Sequence, residues 1–101
     1  DQEEIEASYR NLVAHQDKAY QVFPNPFNDA ITLQLNVVTA GDVKMILTDG
    51  MGKTVMQQSW YAETGLQTWQ FQTEDLPSSI YLYSIETADG RYHGKLIKEN
   101  R

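Results

Sequence analysis

From Tyr20 onward the chain alternates apolar and polar residues with a period of two, and this constrains its fold more than any other feature. Ile31, Leu33 and Leu35 alternate with Thr32, Gln34 and Asn36; Val43, Met45 and Leu47 alternate with Lys44 and Thr48. Trp69 and Phe71 alternate with Thr68, Gln70 and Gln72, and Tyr81, Tyr83 and Ile85 with Ser84 and Glu86. Successive side chains of a strand point to opposite faces, so the pattern demands strands with one face on a core and one in water. Breakers separate the runs at Pro24-Asn25-Pro26, Ala40-Gly41-Asp42, Asp49-Gly50, Gly52, Thr64-Gly65, Pro77-Ser78-Ser79 and Asp89-Gly90. About seven short strands with turns at this spacing predict an all-β fold, an immunoglobulin-like antiparallel β-sandwich. Ile80 and Leu82 add apolar residues at the alternate positions, which predicts a central strand over residues 80–85 covered on both faces. The closing strand, residues 91–99, is its antiparallel neighbour across the Asp89-Gly90 hairpin signal.

With 101 residues, 41% of them hydrophobic, the chain fits one domain able to bury a core without assistance. There is no cysteine, hence no disulfide and no thiolate metal site. A net charge of −6 argues against nucleic acid, whose phosphates call for clustered Lys and Arg. No stretch approaches the roughly 20 apolar residues of a membrane span, and the first residues do not form a signal peptide. The chain reads as the excised C-terminal end of something longer. Residues 1–19 read as a linker from that upstream part; Ile5, Tyr9, Leu12 and Val13 make an apolar stripe that fits a short amphipathic helix. The alternative is a segment that docks on the sandwich or on a neighbouring copy.

Several short motifs invite functional readings. Pro24-Asn25-Pro26 removes two backbone donors and fixes φ twice, so it stops one strand and aims the next, with Phe23 and Phe27 as flanking core anchors. Leu76-Pro77 followed by Tyr81 fits a tyrosine corner, in which the hydroxyl bonds upstream backbone while the ring packs inside. Gly52-Lys53 reads as a turn with an exposed base, not a phosphate loop, because Leu47 occupies the position of that loop's first glycine. Lys95-Leu96-Ile97-Lys98 sets exposed charges at both ends of an aliphatic pair, either to guard an edge strand against aggregation or to be read by a partner. Catalysis finds no support: His15 and His93 are the only histidines, and no nucleophile elbow or zinc signature is present. No cofactor and no metal site are expected.

Taken in order, the segments YQVFPNPFN, DGMGK, LPSSIY and GKLIKE resemble the type A C-terminal sorting domain of the Bacteroidetes type IX secretion system. That family opens on F/Y-P-N-P, carries a D-x-x-G-K-x-V hairpin and an L-P-x-G-x-Y corner, and ends in a basic, aliphatic strand. Here Pro24, Asn25 and Pro26, Gly52 and Lys53, Leu76, Pro77 and Tyr81 hold the structural positions, and the match spans residues 20–99, within a sorting domain of residues 20–101. Ser79 departs from the family glycine, and would be strained if φ > 0 were needed there. Asn100 and Arg101 run past the usual lysine ending.

The resemblance implies a non-catalytic signal that directs its passenger through the periplasm to the outer membrane or cell surface. It implies the type IX secretion machinery as partner, with Lys95, Leu96, Ile97 and Lys98 as the residues that are read. It further implies excision by a sortase-like cysteine protease and replacement by a lipopolysaccharide anchor in some members, with retention in others. An exposed edge strand and a detachable leader also suggest a homodimer, through edge pairing or leader exchange. The competing reading is an adhesive or carbohydrate-binding sandwich, for which Trp60, Tyr61 and Trp69 are the candidate aromatic platforms.

Overall fold

The computed structural model describes residues 20–99, and the leader stripe and the terminal Asn100 and Arg101 lie outside them. The described residues form seven strands: β1 (Tyr20–Phe23), β2 (Ala30–Val37), β3 (Gly41–Thr48), β4 (Thr54–Ala62), β5 (Gly65–Gln72), β6 (Ser79–Thr87) and β7 (Gly90–Lys98). They pair antiparallel in two sheets, ordered β1-β2-β5 and β4-β3-β6-β7, as the immunoglobulin-like sandwich requires. The strands β4 and β5 are joined through Glu63 and Thr64 alone yet belong to different sheets, so the chain changes layer at that edge.

The period-two positions supply the core. Ile31, Leu33, Leu35 and Val37 of β2 face Val43, Met45 and Leu47 of β3 with Tyr81 and Ile85 of β6, and Phe27, Phe71 and Leu96 complete the buried cluster. Each large aliphatic side chain so buried contributes about 1.5–3 kcal/mol relative to exposure. Trp60, Trp69 and Phe71 fill the β4/β5 side, with ring centroids 4.8 Å apart for the tryptophan pair and 5.6 Å for Trp60 and Phe71.

Two expectations are corrected, and the condition set on Ser79 is not met. Strand β6 is central within its sheet, but Ile80 and Leu82 remain 49% and 48% exposed. A two-layer sandwich covers only one face of each sheet, so an unbroken apolar run does not imply cover on both. Phe23 is 40% exposed, whereas Phe27 is fully buried; only the second aromatic anchors the core. Ser79 opens β6 without strain, because no described non-glycine residue has positive φ.

Candidate functional site

All four signatures meet at one end of the sandwich. Residues 24–29 link β1 to β2, residues 49–53 link β3 to β4, residues 73–78 link β5 to β6, and β7 ends beside them. The register Thr48 to Leu82, Leu82 to Lys95 and Ile80 to Ile97 sets the start of β6 between the β3 turn and the end of β7. In the 49–53 turn, the Asp49 carboxylate accepts from the amides of Met51 (2.9 Å) and Lys53 (3.0 Å), and the Asp49 carbonyl accepts from Gly52 N–H (3.0 Å). Gly52 sits at φ 86°, a conformation an L side chain rarely adopts. The D-x-x-G-K motif is thus a turn closed by its own aspartate.

The PNP segment does more than turn the chain. Asn25 Nδ2 donates to the Lys95 carbonyl (3.2 Å), and Asn25 Oδ1 accepts from the Ile97 amide (2.9 Å). Phe27 N–H donates to Ile97 O (2.8 Å), and Glu99 N–H donates to Phe27 O (2.9 Å), forming a parallel bridge between Phe27 and Lys98. Further along, the Tyr20 hydroxyl reaches His93 O at 3.4 Å. The C-terminal half of β7 is therefore not the exposed edge expected of it, since a side-chain amide and one residue of main chain occupy its outward bonding groups.

Lys98 is the larger correction. It is 4% exposed rather than open to solvent, and Nζ donates to the carbonyls of Thr73 (2.7 Å) and Glu74 (3.2 Å). Thr73, itself buried, donates through its amide to Asp29 O (2.8 Å) and through Oγ1 to Asn28 O (3.1 Å), while its carbonyl also accepts from Leu76 N–H (3.0 Å). Nearby, the Tyr81 hydroxyl donates to Pro77 O (2.6 Å) with its ring buried against Phe27 at 6.1 Å between centroids. Burial raises the Tyr81 pKa above the ordinary phenol value, and the Asp49 charge adds to it. Period-two reading gives no hint of Thr73 as a junction, because its partners beyond Leu76 lie on two distant segments, at Asn28-Asp29 and at Lys98.

Above this end, Gly94 of β7 lies directly under the Tyr83 ring; a Cβ there would collide with the ring and hydroxyl. Tyr83 Oη is 3.0 Å from Tyr20 Oη, and Tyr20 also packs on Tyr92 at 4.7 Å between centroids, so an aromatic clasp joins β1 to β6 and β7. Burial pushes the Tyr83 pKa well up, helped by the bond to Tyr20.

The terminal tetrad is split by its own alternation. Leu96 and Lys98 point into the sandwich, whereas Lys95 and Ile97 face outward beside Leu82 and Ile80. Among the aromatic candidates Tyr61 alone is open, at 62% exposure; Trp60 and Trp69 pack against the core with planes tilted by 55°. Among the described residues, no group of three or more His, Asp or Glu side chains converges as a cation site, and no helix is long and apolar enough to cross a membrane.

The structure is thus a two-layer antiparallel sandwich with its sequence signatures gathered at one end. Residues 21–99 match the family described as the secretion system C-terminal sorting domain, and the chain belongs to that family. It is a type IX secretion sorting domain, of a family that is not catalytic. Membership implies attachment to an upstream passenger, interaction with the secretion machinery and export across the outer membrane to the cell surface. No curated protein is matched by the chain.

Proposed function

We propose that residues 20–101 act as the folded address of an upstream passenger and are read by the type IX machinery at the end of the sandwich where β7 terminates. Residues 1–19 serve as the linker. The family match over residues 21–99 carries this reading. The bonds from Asn25 and Phe27 to β7 add a physical reason for the company these motifs keep: the opening signature holds the closing one in place. Within Lys95, Leu96, Ile97 and Lys98, the outward pair is available to a partner, and the inward pair keeps the strand docked.

Fusion of residues 1–101 to a periplasmic reporter, in a cell with type IX secretion, tests the reading. Surface display is expected, and a reporter that stays in the periplasm would reject it. After crossing, the domain is either excised by a sortase-like cysteine protease, with lipopolysaccharide attached in its place, or retained. The mass of the displayed reporter separates these fates.

A further inference from the structure

The outer face of the four-stranded sheet is polar along most of its length but aliphatic at one end. Ser59, Lys44, Glu86 and Arg91 cross the sheet in one row, followed by Gln57, Ile46, Ser84 and His93 in the next. Beyond them the rows become Leu82 with Lys95 and Ile80 with Ile97. Ile80, Leu82 and Ile97 are 49%, 48% and 38% exposed, and beside them Ile46, Thr48, Leu82, His93 and Lys95 border a hollow of about 490 Å³. Contiguous apolar surface rimmed by polar groups marks an interaction site, because a monomer gains nothing by keeping it wet.

Charge narrows the occupant. Arg91 is paired with Glu86 at 3.9 Å, whereas the Lys95 ammonium makes no ion pair or hydrogen bond among the described residues. An unpaired cation beside an aliphatic patch favours a partner that brings a carboxylate to that point. A second copy fits less well, since two-fold pairing of this patch would bring like patches, each with its own lysine, and two acidic bodies together.

Resting on the sorting-domain reading above, we propose that Ile80, Leu82 and Ile97, with Lys95 at their rim, form the face that docks on a protein of the export machinery offering an aliphatic ridge flanked by a carboxylate. The ridge fills the hollow, and the carboxylate meets Lys95. The recognition surface then includes β6, well upstream of the terminal tetrad.

The test uses the full chain fused to a periplasmic reporter, comparing Leu82→Thr, Lys95→Glu, Lys95→Arg and Gln70→Ser, the last on the opposite sheet. Surface display is expected to fall about ten-fold in Leu82→Thr and Lys95→Glu, the loss typical of an interface anchor. It should persist in Lys95→Arg and Gln70→Ser. Melting of each purified chain within about 3 °C of the parent separates docking from folding. Should Leu82→Thr fail that criterion, the exposed Lys95→Glu decides. Normal display of folded Leu82→Thr and Lys95→Glu overturns the proposal while leaving the sorting reading intact, whereas failure of the parent fusion rejects both. A parent chain that sediments as a dimer, and as a monomer once Leu82 is replaced, would give the face to a second copy and overturn the proposal.

Discussion

At the end of the sandwich that carries residues 38–40, 63–64 and 88–89, exposed polar groups hold the connections. Asp89 Oδ2 accepts from the amides of Val38 (3.2 Å) and Thr39 (3.1 Å), Thr87 Oγ1 accepts from the amides of Asp89 and Gly90, and Gln67 Nε2 reaches Glu63 O. At the opposite end, Phe27, Thr73 and Lys98 are buried and tie segments distant in sequence, and the exposed Asn25 adds two bonds to β7 from 70 and 72 residues away. Water competes for most bonds of the first set and is largely excluded from those of Thr73 and Lys98, so comparable bond counts do not mean comparable stability.

Perturbing the two ends in parallel tests that contrast. Tyr81→Ala at the junction end should cost about 3–5 kcal/mol through a core cavity, and Tyr81→Phe about 0.5–1.5 kcal/mol through one lost hydrogen bond; urea unfolding measures both, and a phenylalanine variant as stable as the parent would dismiss the corner. Lys98→Met should cost about 1.5–3 kcal/mol, because the carbonyls of Thr73 and Glu74 lose a charged donor in a site water does not freely enter. Lys95→Met, on the outward face, should leave the same unfolding curve nearly unmoved. Asn25→Ala should cost about 1 kcal/mol and speed amide exchange at Ile97, whose N–H loses its acceptor.

The pH limits separate the ends as well. Burial raises the folded-state pKa of Tyr83 and Tyr81, so the fold holds the neutral phenols. Their stabilisation is whole below the ordinary phenol value near 10 and is lost as pH climbs through the raised folded values. Asp89 behaves in the opposite sense. Its bonds from the Thr39 side chain and amide, and from the Val38 amide, lower its pKa, so its contribution is present above the ordinary carboxyl value near 4 and lost as pH falls through the lowered one. Asp89→Ala should give a small change, read as a slightly flatter acid limb in a thermal melt against pH. An acid limb that disappears in that variant would show the distant end to be the stronger clamp.

Much of the fold was legible because alternation is written locally. Ile31, Leu33 and Leu35, and Val43, Met45 and Leu47, all reached the core their pattern assigned them. Strand β4 was harder to read, since Val55 and Met56 are adjacent and Gln57, Gln58 and Ser59 form a polar run, as suits an edge strand with a bulge at its start. Of the candidate site, the Tyr81 corner could be anticipated from Leu76-Pro77 alone, because its hydrogen bond to Pro77 spans four residues.

Lys98 could not be anticipated. A lysine closing a strand looks the same in sequence whether it guards an edge or caps a loop, and only the arrival of Thr73 and Glu74 from the β5–β6 link decides which. Asn25 is alike: its order between two prolines is local, but its partners on β7 are 70 and 72 residues away. Ile80 and Leu82 show the same limit from the other side, for apolar residues on a central strand become covered or bare according to how many layers the molecule builds. The sequence by itself determined the strands, the turns and the family, which rest on periods and motifs within a few residues. Tertiary structure alone decided which lysine faces out, what closes β7 and where aliphatic surface stays open, because those depend on burial and on partners that meet only when the sheets pack.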